Sequence, residues 1–135
     1  MADKRDFYQV VENICSGDSR YKADAYEFMM QGLHFTQGKI KRAGHITGRE
    51  LLEGLREFAI QQYGPMAKAV LNYWGVYKTQ DFGHIVFNMI EDKLLAKTDA
   101  DSLDDFKDIY NFDTVFTNIL SDSLKGACYD SQKDH

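Results

Sequence analysis

Apolar residues recur at steps of three and four positions along most of this chain, in segments separated by short glycine-containing breaks. A 3.6-residue period lays one apolar stripe along a helix, whereas a half-buried strand alternates every second residue. With a single proline in 135 residues, little interrupts such helices. The expectation is an all-α, compact single-domain bundle of about six to seven short helices spanning residues 1–135, with 1–5 and 130–135 as frayed termini.

Phe7, Val10, Val11, Ile14 and Cys15 define the first stripe, which stops at Ser16-Gly17-Asp18. A second helix is expected over Tyr21 to His34, with Ala25, Phe28, Met29 and Leu33 inward. Thr36 to His45 holds two glycines, three cations and no periodic apolar face, and reads as a loop. Thr47 and Glu50 then stand three apart as a capping box, with Ile46 and Leu51 placed for the hydrophobic staple around it. That helix buries Leu51, Leu52, Leu55, Phe58 and Ala59 and ends at Gly64, and Pro65 suits the first position of the next one. The next, about Pro65 to Trp74, carries Met66, Ala69, Val70, Tyr73 and Trp74 and stops at Gly75.

Thr79 is expected to cap a fifth helix, whose Phe82, Ile85, Val86, Met89, Ile90 and Leu94 form the cleanest stripe in the chain. Beyond it, Thr98 or Ser102 would open a helix bearing Leu103, Phe106, Ile109 and Tyr110. Asp113 or Thr114 would cap a last one with Val115, Phe116, Ile119 and Leu120 inward. The structural rival is a winged-helix-like α+β fold, in which Leu94 to Lys97 begins a ribbon after a helix-turn-helix core.

The chain resembles a family of uncharacterised bacterial proteins first grouped from planctomycetes and verrucomicrobia. The likeness covers about Tyr21 to Phe116 and is carried by Ala25-Tyr26-Glu27-Phe28, His45-Ile46-Thr47-Gly48-Arg49-Glu50-Leu51-Leu52, Tyr63-Gly64-Pro65-Met66-Ala67, Trp74-Gly75-Val76, Thr79-Gln80-Asp81-Phe82-Gly83 and Tyr110-Asn111-Phe112-Asp113. It implies one intact domain of bacterial cytosolic origin, and no catalytic residue, cofactor or partner. An acidic residue is more usual in that family where this chain has His84.

Charge limits the partners. Sixteen Lys and Arg against 21 Asp and Glu give a net charge of -5, which supplies no general attraction for nucleic acid or anionic lipid. Six aspartates with one lysine between Asp99 and Asp113 would repel a phosphate backbone. Cys15 and Cys128 are too few for a disulfide framework and lack C-x-x-C spacing, so both are expected reduced. The charged start, Met1 to Asp6, is not expected to be a secretory signal, which would need a continuous apolar core, and no apolar run approaches the roughly 18 residues of a membrane span. The cytoplasm is the expected address.

Four candidate sites emerge. Lys39, Lys41, Arg42 and Arg49 form a stretch of cations without an intervening acid, suited to an anion or an acidic partner; a solvated loop explains it as well. Asp81, His84 and Asn88 share one line of the fifth helix, opposite its apolar stripe, where an Asp orienting a His suits base chemistry; plain exposure to water is the simpler account. Asp99, Asp101, Asp104 and Asp105 invite a calcium reading, but the sixth and twelfth loop positions hold Asp104 and Tyr110 instead of Gly and Glu. The histidines lack H-x-x-x-H and H-E-x-x-H spacing, so no metal or cofactor is expected. The aromatics could form a cofactor pocket, and Trp74, Tyr73, Tyr77 and Phe82 around Gly75 are the densest group; packing as core is the plainer reading.

The functional expectation is a cytosolic protein-binding or self-associating module without catalysis. One alternative is a small-molecule-binding domain or small enzyme with a pocket near Trp74, Asp81 and His84. A DNA-binding helix-turn-helix protein is the weakest.

Overall fold

A computed structural model describes residues 4–40, 46–95 and 103–116 of the chain. Its elements are α1 (Lys4–Gly17), α2 (Ala23–Ile40), α3 (Gly48–Tyr63), a 3₁₀ turn (Gly64–Met66), α4 (Ala67–Tyr73), α5 (Thr79–Glu91), a second 3₁₀ turn (Leu103–Phe106) and α6 (Phe112–Val115). No strand occurs among the described residues, so they form the all-α fold and not the winged α+β alternative. Leu94 and Leu95 lie in a turn in which Lys93 takes φ 65°; Ala96 and Lys97 fall outside the described residues.

The centre is an antiparallel hairpin of α2 and α3, packed through small residues. Gly32 on α2 receives Leu55, and Gly54 on α3 receives Thr36, leaving no room for a Cβ at either glycine. Phe58 meets Phe28 and Phe35 at ring separations of 5.4 and 5.2 Å. This contact corrects the loop expected over Thr36 to His45, because residues 36–40 complete the last turns of α2. Thr36 is buried, and its hydroxyl donates to the Gly32 carbonyl at 2.8 Å. Local composition favoured a loop, but tertiary burial against α3 outweighs that preference. Residues 41–45 lie outside the description.

The start of α3 follows its sequence signal. Thr47 Oγ1 accepts from the Glu50 N–H at 3.1 Å, Glu50 Oε1 accepts from the Thr47 N–H at 2.9 Å, and the flanking Ile46 and Leu51 are buried. Gly64, at φ 52°, stops the helix, and Pro65 opens the 3₁₀ turn that leads into α4.

In α5, Phe82, Ile85, Val86 and Met89 are buried as their spacing predicts. Thr79, however, is not the cap. It lies inside the first turn, fully buried, where its hydroxyl donates to the Phe106 carbonyl at 2.5 Å and accepts from the Ile109 N–H at 3.2 Å. The first turn is capped by Asp81, whose Oδ2 accepts from the N–H groups of Tyr77 at 2.8 Å and Lys78 at 3.2 Å.

The helix expected over Leu103 to Tyr110 is a single 3₁₀ turn instead. Its Phe106 enters the core against α5, and Asp108 then takes φ 52°, which ends any helix there. The cap of α6 is Asn111, not Asp113 or Thr114: Asn111 Oδ1 accepts from their N–H groups at 2.7 and 3.3 Å. Phe112 and Phe116 are buried, while Ile119 and Leu120 lie outside the described residues.

Candidate functional site

Asp81 and Asn88 do not face open water as expected, because residues of α2 and of the turn between α1 and α2 reach both; His84, between them, is half-buried. Lys22 N–H donates to the Trp74 carbonyl at 3.0 Å, and Gly75, at φ 97°, lets the Arg20 carbonyl approach where a Cβ would otherwise stand. Tyr21 reaches across to donate to Asp81 Oδ1 at 2.7 Å. Asn88 Nδ2 donates to Asp18 Oδ2 and to the Tyr26 hydroxyl, both at 3.0 Å.

This network holds its titrating groups away from their ordinary values. The Arg20 guanidinium, which hydrogen-bonds both carboxylate oxygens, holds Asp18 far below the usual carboxylate range. Burial pushes the Tyr21 hydroxyl well above its ordinary value, and the bond to Asp81 pushes it further. The Tyr26 hydroxyl is raised by burial as well. A general base needs a free acceptor beside a substrate space. Here the Asp81 oxygens already accept from Tyr21, Tyr77 and Lys78, so Asp81 serves as a joint between turns.

Two of the cavities among the described residues open at the surface. One, of about 520 Å³, lies between α4 (Lys68, Asn72), the turn after it (Tyr77, Lys78) and the segment from Asp108 to Asp113. The other, of about 810 Å³, is a groove between α1 and the α1–α2 turn, lined by Tyr8, Val11, Cys15, Tyr21 and Lys22 among others. Burial raises the Cys15 thiol above its usual value, which suppresses thiolate there. Neither cavity is lined by Trp74, Asp81 or His84.

The basic residues singled out by sequence do not gather within the described residues. Lys39 is ion-paired with Glu57 of α3, Arg49 is exposed in the first turn of α3, and Lys41 and Arg42 fall outside the description. Asp99 and Asp101 also lie outside it, and no group of three or more potential metal ligands occurs among the described residues. No helix there is long and apolar enough to cross a membrane.

The aromatic group around Gly75 divides in two. Trp74 and Phe82 are buried, each ring packed on Phe28 at 5.6 and 6.3 Å. Tyr73 and Tyr77 are 72% and 62% exposed, which corrects the reading of the whole group as core, and Met66 is 59% exposed. Pro65 and Ala69 are exposed beside them.

The physical cause is the composition of α4, which is apolar on both sides. Ala67, Leu71 and Trp74 turn inward, so Met66, Ala69 and Tyr73, at helical spacing, turn outward. The rim is cationic. Lys22 Nζ stands 5.0 Å from the Tyr73 ring centre, and neither Lys22 nor Lys78 has a carboxylate partner among the described residues. Sequence reasoning missed this face, although two signals mark it: a helix with apolar residues on two sides, and a chain without a single acid between Glu57 and Asp81.

Comparison of the chain with protein-family models, curated proteins and solved structures gives no match in any of the three. The bacterial-family resemblance therefore rests on the motifs quoted above.

Proposed function

We propose that this chain is a cytosolic protein-docking module without catalysis, belonging with the bacterial family its motifs resemble, and that the outer face of α4 is the surface it presents. The observation that carries this reading is the exposure of Met66, Tyr73 and Tyr77 on and just beyond one short helix. Large apolar side chains left in water together on a monomer surface mark interaction sites, and Tyr and Met are enriched in such interfaces. A tyrosine contributes wide contact area at low entropic cost because only two torsions are fixed.

The test places a photo-crosslinking benzoylphenylalanine at Tyr73 and, as a control, at the exposed Gln62 of α3, in cells that naturally express the chain. Discrete cross-linked species at position 73 and none at 62 are expected; a species of twice the chain's mass would identify a second copy as the partner. Absence of any species specific to position 73 overturns the reading.

A further inference from the structure

The fold treats one methionine unlike the others it describes. Met29 and Met89 are fully buried, Met30 packs half-buried against the core, and Met66 is 59% exposed. Met66 ends the 3₁₀ turn that Pro65 opens, and its neighbour Ala67 takes the inward position at the start of α4. A thioether carries no titrating proton, so access governs its reaction with an oxidant, whereas a thiol reacts as the thiolate. Cys15 is half-buried, its Sγ directed at the Tyr21 carbonyl at 3.7 Å, and burial keeps it protonated. Among the described residues, Met66 is therefore the sulfur most open to a peroxide.

We infer that Met66 is a reversible oxidation site, at which a hydroperoxide turns the thioether into the sulfoxide and so switches the docking face off. The inference rests on the docking reading above and names the regulation of that face. The Sδ lone pair attacks the outer oxygen of the hydroperoxide; an S–O bond forms as the O–O bond breaks, and the proton on the attacked oxygen passes to the departing one. The sulfur is oxidised by an electron pair, and the hydroperoxide is reduced to its alcohol, or to water where hydrogen peroxide is the oxidant. The sulfoxide places a polar oxygen where the face had apolar surface. A partner that covers Met66 together with Tyr73 must then strip water from that oxygen, and burying a polar group without a new hydrogen bond is costly. Sulfoxide reductases restore the thioether at the expense of a dithiol, which makes the site reversible.

The experiment treats the purified full chain with hydrogen peroxide and maps sulfoxide by peptide mass spectrometry. Met66 is expected to oxidise roughly tenfold faster than Met29 and Met89, which local opening must first expose, with Met30 between them. Equal rates at Met66 and Met89 would overturn the assignment of the site. The chain carrying benzoylphenylalanine at position 73 is then irradiated in an extract of its source cells, with or without prior oxidation and after the peroxide has been removed. The position-73 species should fall severalfold on oxidation and return after treatment with both epimer-specific sulfoxide reductases and dithiothreitol. Met66→Leu, apolar but without sulfur, should make the species insensitive to peroxide, and Met66→Gln should lower it with no oxidant at all. A species unchanged by oxidation, or lost equally from the Met66→Leu chain, overturns the switch and leaves the docking reading standing. No position-73 species from the unoxidised chain removes the docking reading, and the switch falls with it.

Discussion

Phe106 lies so close to Gly83 that a Cβ on the glycine would stand 2.9 Å from the Phe106 Cβ and Cγ. The same ring closes over Gly48 of α3, where a Cβ would meet Phe106 Cζ at 3.3 Å. One aromatic side chain thus locks the 3₁₀ turn Leu103–Phe106 onto α3 and α5, through two positions that lack side chains.

Gly83→Ala should therefore destabilise the fold. Alanine in a helix interior ordinarily gains about 1 kcal/mol over glycine, but overpacking a filled site costs about 1–3 kcal/mol. The clashing atoms are the root of Phe106, which cannot swing away without moving the turn. Gly38→Ala is the control, because nothing lies within 4 Å of its Cβ position on the exposed side of α2. Urea unfolding should show a lower midpoint for the first and an equal or higher midpoint for the second.

Thr79 ties the same turn by its hydroxyl. Thr79→Val keeps the shape but strands the Phe106 carbonyl and the Ile109 N–H, at a cost of roughly 1–3 kcal/mol. Thr79→Ser should retain most of the stability. A serine variant no more stable than the valine one would show that the hydroxyl is not what matters.

Tyr21 and Asp81 should be coupled energetically. Tyr21→Phe removes one bond, while Asp81→Ala removes that bond and the cap on the Tyr77 and Lys78 N–H groups, at about 1 and 2 kcal/mol. The double variant should lose less than the sum of the two, by about 0.5–1 kcal/mol. Strict additivity in thermal unfolding would exclude the bond as a joint between the turns.

Asp18 sets a pH dependence whose sign is fixed. Its carboxyl lies far below the usual range when folded and near about 3.9 when unfolded. The unfolded chain thus binds the proton more readily, and stability is full above pH ~4 and lost as pH falls from there toward the folded value. Asp18→Asn should lower stability at pH 7, and its deficit relative to the parent chain should shrink below pH 4. Parallel unfolding profiles from pH 7 to 3 would contradict this.

Local chemistry made parts of the fold legible. Thr47 and Glu50 satisfy each other's N–H groups within one turn, so no distant residue is needed to start α3. The stripe Phe82, Ile85, Val86 and Met89 identified its buried side through spacing alone. Other positions were misread where the deciding partner is remote in sequence. Thr36 resembles a loop residue until α3 is set against it, and Thr79 resembles a cap until Phe106 arrives to take its hydroxyl. Asp81 and Asn88 looked solvated because Asp18, Tyr21 and Tyr26 are far away along the chain.

The candidate face on α4 follows the same division. The sequence alone determined that this helix is apolar on both sides and lies in a stretch without acids. Only packing decided that Ala67, Leu71 and Trp74 fill the interior, which left Met66 and Tyr73 in water. A helix seven residues long can turn just one side to the core, and periodicity cannot choose between two apolar sides when the choice depends on the space α3 and Phe28 leave open.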